Sequence, residues 1–159
     1  MIRAKPHRLP LHLYRGDRAC AFTACLKERA PAFLTLESVA PHVAYLAKAS
    51  GEFRCVVPIY CFMPDHLHVM FKGLGEGADT LAAMRKFKLL SGLWFHRKHL
   101  EGWQENFHDH VVRGTEDWRA HAKYISRNPV RQGLVGDPFE YPFLGSLGCD
   151  LSDVICGSF

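Results

Sequence analysis

The spacing of apolar and polar positions along the chain changes several times, and each change marks an element. Residues 18–26, with Cys20, Phe22, Thr23 and Cys25, are compatible with a strand that ends at Lys27-Glu28-Arg29 and Pro31. Over 36–50 the apolar residues Leu36, Val39, Val43, Leu46 and Ala47 recur at three- and four-residue steps, which predicts an amphipathic helix closed by Gly51. With Ser38 as its cap, Pro41 falls in the first turn, where proline is tolerated. Residues 53–62 and 66–72 read as two strands joined by the tight connection Met63-Pro64-Asp65, and Pro58 inside the first signals an edge or a bulge.

Beyond the glycine-rich loop 73–77, Asp79 or Thr80 caps a long helix to about Leu100, with Leu81, Met84, Phe87, Leu90 and Trp94 as its apolar positions. A short strand is expected over 110–113. Thr115 then caps a third helix, with Glu116 and Asp117 in its first turn and Trp118, His121, Ala122, Tyr124 and Ile125 along it. Asn128-Pro129 ends or interrupts that helix, because a residue before proline is steered away from helical geometry. The order strand, helix, strand, strand, helix, strand, helix, with no internal repeat, predicts an α+β sandwich. The expected organisation is a basic arm over 1–18, one domain over 19–144 and an irregular tail over 145–159.

Composition narrows the class. A chain of 159 residues with 48% hydrophobic content suits one domain with a single core. The net charge of +4 is a mild basic bias, compatible with a polyanionic partner without demanding one. Six cysteines without a Cys-x-x-Cys pair argue against a thiolate zinc site, and they read as reduced, with Cys20, Cys55 and Cys61 as small buried groups in strands. No apolar run approaches the ~18 residues that a membrane helix needs, so the expected setting is the cytoplasm, with no membrane contact.

The candidate chemistry starts at His66-Leu67-His68. On a strand these two histidines share a face with Met70, while Leu67, Val69 and Phe71 share the other. Imidazoles two residues apart on a rigid strand suit two ligands of one metal ion, and equally suit two half-buried histidines. Tyr124 and Asn128 lie four apart on one helix, so a hydroxyl nucleophile and a metal-binding amide oxygen would face one point; the alternative is a core tyrosine and a capping asparagine. A further group, His96, His99, His108, His110 and His121, lies between the second helix and the tyrosine helix, where protonation would add charge near a phosphate.

His66-Leu67-His68 after Met63-Pro64, then Trp103-Gln104, Phe107, Asp109-His110 and Arg113, then Tyr124-Ile125-x-x-Asn128-Pro129-Val130-x-x-Gly133-Leu134-Val135 resemble the REP-associated tyrosine transposases, single-tyrosine members of the HUH group. The resemblance covers most of the chain, from about Tyr14 to Tyr141. Asp65 departs from it, standing where many members have Asn, as does Leu144-Gly145 in place of paired serines.

What the resemblance implies is a ferredoxin-like antiparallel sheet with helices packed on it, carrying His66 and His68 as metal ligands, Asn128 as the third ligand and Tyr124 as nucleophile. The implied activity is metal-dependent cutting and joining of single-stranded DNA at hairpin-forming repeats through a 5′-phosphotyrosine, by a monomer or a homodimer. The alternatives are a non-cutting module that binds structured nucleic acid and an unrelated metal hydrolase. His110, His121 and Lys123 are candidates for proton transfer or phosphate contact, and Arg85, Lys86, Lys88, Arg113, Arg127 and Arg131 for DNA binding. Ligand affinity order alone favours zinc or copper, while phosphate chemistry and the resemblance favour Mg²⁺ or Mn²⁺.

Overall fold

The computed structural model describes residues 8–113 and 116–157. Its antiparallel sheet comprises β1 (Ala19–Cys25), β2 (Cys55–Met63), β3 (His66–Gly73), β4 (His108–Val111) and β5 (Leu144–Leu147), in the spatial order β4-β1-β3-β2-β5. The first four strands, with α1 (Leu36–Glu52) after β1 and α2 (Thr80–Arg97) after β3, make the ferredoxin-like βαββαβ unit, and β5 extends it beside β2. The fold is α+β, as the sequence pattern predicts.

Both faces of the sheet are covered. Leu67, Val69 and Phe71 of β3 join Leu46 of α1 and Leu81, Met84 and Phe87 of α2 in one core. Met70, on the opposite face, meets Ala122 and Ile125 of α3 (Trp118–Ser126) and Val154 of α5 (Leu151–Cys156) in a second. A central strand buried on both sides has little room for polar groups, so two histidines on β3 stand out. Cys20, Cys55 and Cys61 are buried in strands as expected, and none of the six cysteines is bridged. No helix among the described residues is long and apolar enough to cross a membrane.

Several boundaries differ from those expected, each for a local reason. Thr35, not Ser38, caps α1: the two residues form a reciprocal capping box, which moves Pro41 into the second turn. Gly51 lies within α1, and the chain turns at Phe53 and Arg54, the latter with φ +56°. Pro58 sits where the β2 register shifts between Val56 and Ile59, so an interior strand tolerates it at a bulge. The fourth strand begins two residues earlier than expected. Asp117 caps α3 through Arg119 N–H, whereas the expected cap, Thr115, lies outside the described residues.

Residues 8–18 and 145–157 are more ordered than the sequence pattern predicts, while residues 1–7 of the expected arm and 158–159 of the expected tail lie outside the described residues. From Arg8 onward the expected arm is docked: Tyr14 is buried, its hydroxyl donates to Asp109 at 2.6 Å, and burial first of all pushes its pKa up to about 12. The expected irregular tail instead supplies β5 and α5. Its glycines answer packing constraints, since a Cβ on Gly145 would collide with the Tyr60 ring, and Gly148 combines φ +81° with contact against Val56.

Candidate functional site

Strand alternation puts His66 and His68 on the α3 side of the sheet, with Met70. Their Nε2 atoms face each other at 3.1 Å. Each ring is held from behind through Nδ1: His66 Nδ1 lies 2.7 Å from Asp65 Oδ1, and His68 Nδ1 lies 3.0 Å from Thr23 Oγ1. Thr23 is the register partner of His68 on β1, so the sheet itself delivers that hydroxyl. Asp65, a pure acceptor when ionised, fixes the proton of a neutral His66 on Nδ1 and leaves the Nε2 lone pair facing inward.

The Pro64-Asp65 turn is in turn anchored. Arg29 donates from Nε to Asp65 Oδ2 at 2.8 Å and from Nη1 to Cys25 Sγ at 3.1 Å, while Asp65 O accepts from Leu26 N–H. Burial works to raise the Asp65 carboxyl, but hydrogen bonds from Arg29 and His66 overcome it and hold it below the usual carboxylate range. His68 is pushed down to about 4, chiefly by burial and then by the charges of His66, Arg131 and Arg29. A neutral imidazole is the form that binds a metal.

The pair fits a cation. Two nitrogens 3.1 Å apart match adjacent ligands on one ion at about 2.1 Å, and rings tied through their second nitrogens are the usual support for such ligands.

Tyr124 and Asn128 do not share one uninterrupted helix. Helix α3 ends at Ser126, and α4 (Asn128–Arg131) starts anew with Pro129 in its first turn, the i→i−4 bonds resuming at Arg131 N–H to Arg127 O. Ala122, Ile125 and Ser126 are buried, while Tyr124 is 66% exposed. Asn128 Nδ2 donates to Ile125 O, which turns Oδ1 outward, where it accepts from Arg131 Nη2 at 2.6 Å. The same guanidinium donates to Tyr124 O and lies 4.0 Å from the centroid of the Tyr124 ring. Arg131 is therefore the residue that ties tyrosine to asparagine, and its charge reaches His68.

The other candidate residues fall into separate groups. His110 Nε2 and His121 Nε2 both close on Glu116 Oε2, at 2.7 and 3.1 Å. Lys123 is exposed on α3 beside Tyr124. Arg113 and Arg127 are exposed, after β4 and between α3 and α4 respectively. Arg85, Lys86 and Lys88 lie on α2, across the sheet from His66 and His68. Lys86 pairs with Glu52 at 3.4 Å, and Lys88 donates to the carbonyls of Gln104 and Glu105. His96 is also on α2, with His99 just beyond its end.

Sequence reasoning missed Thr23, Asp65 and Arg29 as supports of the histidine pair. Asp65 was readable as a carboxylate next to His66; Thr23 and Arg29 were not, because only the β1–β3 register and the turn after β1 bring them near.

No family profile matches the chain. Among curated proteins, the REP-associated tyrosine transposase of Escherichia coli (strain K12) is 29% identical over 124 residues, covering 77% of this chain and 72% of the relative. This chain resembles the REP-associated tyrosine transposases. A Haemophilus influenzae protein carrying the same family name with a provisional qualifier is 27% identical over 135 residues, covering 77% of this chain and 76% of that one. A solved structure of a REP-associated tyrosine transposase bound to a REP hairpin superposes with a TM-score of 0.72 at 24% identity, over 89% of this chain and 82% of that one. That likeness carries the fold across the family, including the five-stranded antiparallel sheet.

Proposed function

We propose that the protein cuts and rejoins single-stranded DNA beside hairpin-forming repeats, with Tyr124 as nucleophile and a divalent ion, Mg²⁺ or Mn²⁺, at His66, His68 and Asn128. The observation that carries this reading is the convergence of two Nε2 atoms at 3.1 Å with each Nδ1 tied down, on the sheet face that α3 covers. A bound ion would supply positive charge against the phosphate oxygens, which otherwise repel an approaching phenolate. A solved structure of a REP-associated tyrosine transposase bound to a REP hairpin supports hairpin DNA as the substrate class.

The residues of the chain do the rest. The exposed Tyr124 is free to meet a strand lying along the surface, and its proton passes to water or a nearby base as Oη bonds to phosphorus. The bond from phosphorus to the 3′ oxygen breaks, that oxygen takes up a proton, and the 5′ side remains on the enzyme as a phosphotyrosine. A 3′-hydroxyl attacking the same phosphorus reverses the step, so strands are rejoined without ATP. Arg131 holds the Tyr124 ring and Asn128 Oδ1 in one cluster and offers a cation to phosphate once Asn128 takes a ligand's place.

The test mixes the full chain with labelled single-stranded hairpins and Mg²⁺ or Mn²⁺, beside Tyr124→Phe and His66→Ala. A denaturant-resistant adduct is expected with the intact protein only, with Tyr124→Phe lowering cleavage by more than about 10³-fold. Cutting that survives Tyr124→Phe without an adduct would replace this reading with a water-attacking hydrolase. Tight hairpin binding with no cutting would replace it with a binding module.

A further inference from the structure

Outside the histidine pair, one other cluster among the described residues has the composition of a metal site. His110 projects from edge strand β4 on the α3 side of the sheet; Glu116 precedes α3, and His121 lies on its second turn. Glu116 Oε2 is 2.7 Å from His110 Nε2 and 3.1 Å from His121 Nε2, the two rings are 4.6 Å apart, and one donor atom from each residue falls within 4.8 Å of the other two. We propose that His110, Glu116 and His121 form a second cation site, selective for a borderline ion of the zinc class, that clamps α3 to the sheet edge.

The donor set carries the selectivity. Two imidazoles and one carboxylate suit Zn²⁺, Ni²⁺ or Co²⁺, whereas Mg²⁺ needs further oxygen ligands, which substrate phosphate would supply at the first site and nothing among the described residues supplies here. The three side chains come from both sides of the β4–α3 connection, so one ion would close that connection as a staple. His121 and Tyr124 fall at i and i+3 on α3, so fixing His121 fixes the helix face that carries the phenol. Without an ion, Glu116 between two imidazoles is a solvent-exposed pair of weak contacts. With one, the same three residues become a rigid joint. Each neutral histidine needs only to carry its proton on Nδ1 so that Nε2 faces the ion, an exchange through water that releases no net proton.

The inference stands apart from the proposed function, and the test separates them. Equilibrium dialysis of the full chain against zinc is expected to retain about two ions per chain, one at each set of imidazoles. The His110→Asn/His121→Asn double variant should retain about one. The His66→Ala/His68→Ala double variant should also retain about one, with slowed amide exchange along α3 on zinc addition. Retention by His110→Asn/His121→Asn equal to that of the intact chain overturns the second site, as does loss of all zinc from His66→Ala/His68→Ala. Displacement of this ion by a tenfold excess of Mg²⁺ overturns its selectivity. If His66→Ala/His68→Ala leaves retention unchanged while His110→Asn/His121→Asn lowers it, the second site stands and the metal reading of the first falls.

Discussion

One face of the sheet buries a histidine and the other half-buries one, and the contrast between them separates a packing residue from a candidate ligand. On the α1 and α2 face, His42 is 0% exposed, neither ring nitrogen has a hydrogen-bond partner among the described residues, and Phe33, Phe62, Trp94 and Phe95 surround it. On the α3 face, His68 has Thr23 at one nitrogen and His66 at the other. Burial pushes both down to about 4. A depressed pKa therefore identifies neither; what distinguishes His68 is that its nitrogens are aimed, one at a support and one at a second lone pair.

The difference can be broken from either side. The largest expected effect is on the aromatic face: Phe95→Ala, which empties a fully packed site beside His42, Phe33 and Trp103, should cost about 3–5 kcal/mol of stability. Urea unfolding measures it, and zinc or Mn²⁺ binding to the folded fraction should be unchanged. Next is the pH response of His42. Its folded pKa lies below its unfolded value of about 6.5, so its contribution is complete above that value and is lost as pH falls towards 4, by roughly 3 kcal/mol. His42→Leu should remove that share of acid destabilisation, seen as a smaller drop in urea midpoint between pH 7 and pH 4.5.

On the other face the effects are on ligands instead of folding. Thr23→Val keeps the shape of the strand but frees the His68 ring, and should weaken Mn²⁺ binding about 10–100-fold with unfolding changed by little. Calorimetric titration with Mn²⁺ gives the ratio. The smallest effect concerns phosphate contacts. Arg131→Gln should reduce the salt dependence of hairpin binding by about one unit of slope, while Arg85→Gln, on the far face, leaves it unchanged. Equal slopes for both variants would place DNA on both faces and erase the division.

Periodicity carried most of the fold because the sheet is buried on both sides and its helices are amphipathic. The spacing of Leu67, Val69 and Phe71 against His66, His68 and Met70 predicts two faces, and each triplet lies on the face so assigned. What it could not read were features set by tertiary contact. Tyr14 sits in a basic stretch, and it is packing in the core together with Asp109, far along the chain, that buries it. Residues 145–159 are rich in Gly and Ser, yet Gly145 is there because Tyr60 leaves no room for a side chain. In the candidate site, the proximity of His66 to His68 was legible from two-residue spacing. The role of Arg131 was not, because its three contacts depend on the break between α3 and α4.

That break and the order of the chain have a consequence for synthesis. Every strand of the ferredoxin-like unit, and with it both histidines, precedes Tyr124, Asn128 and the β5 strand that closes the β2 edge. A nascent chain that has left the ribosome only as far as Val111 holds the imidazole pair but lacks Tyr124. Under the proposed mechanism, the nucleophile would arrive after the scaffold that positions it, so a half-made protein would have no means to nick the DNA around it.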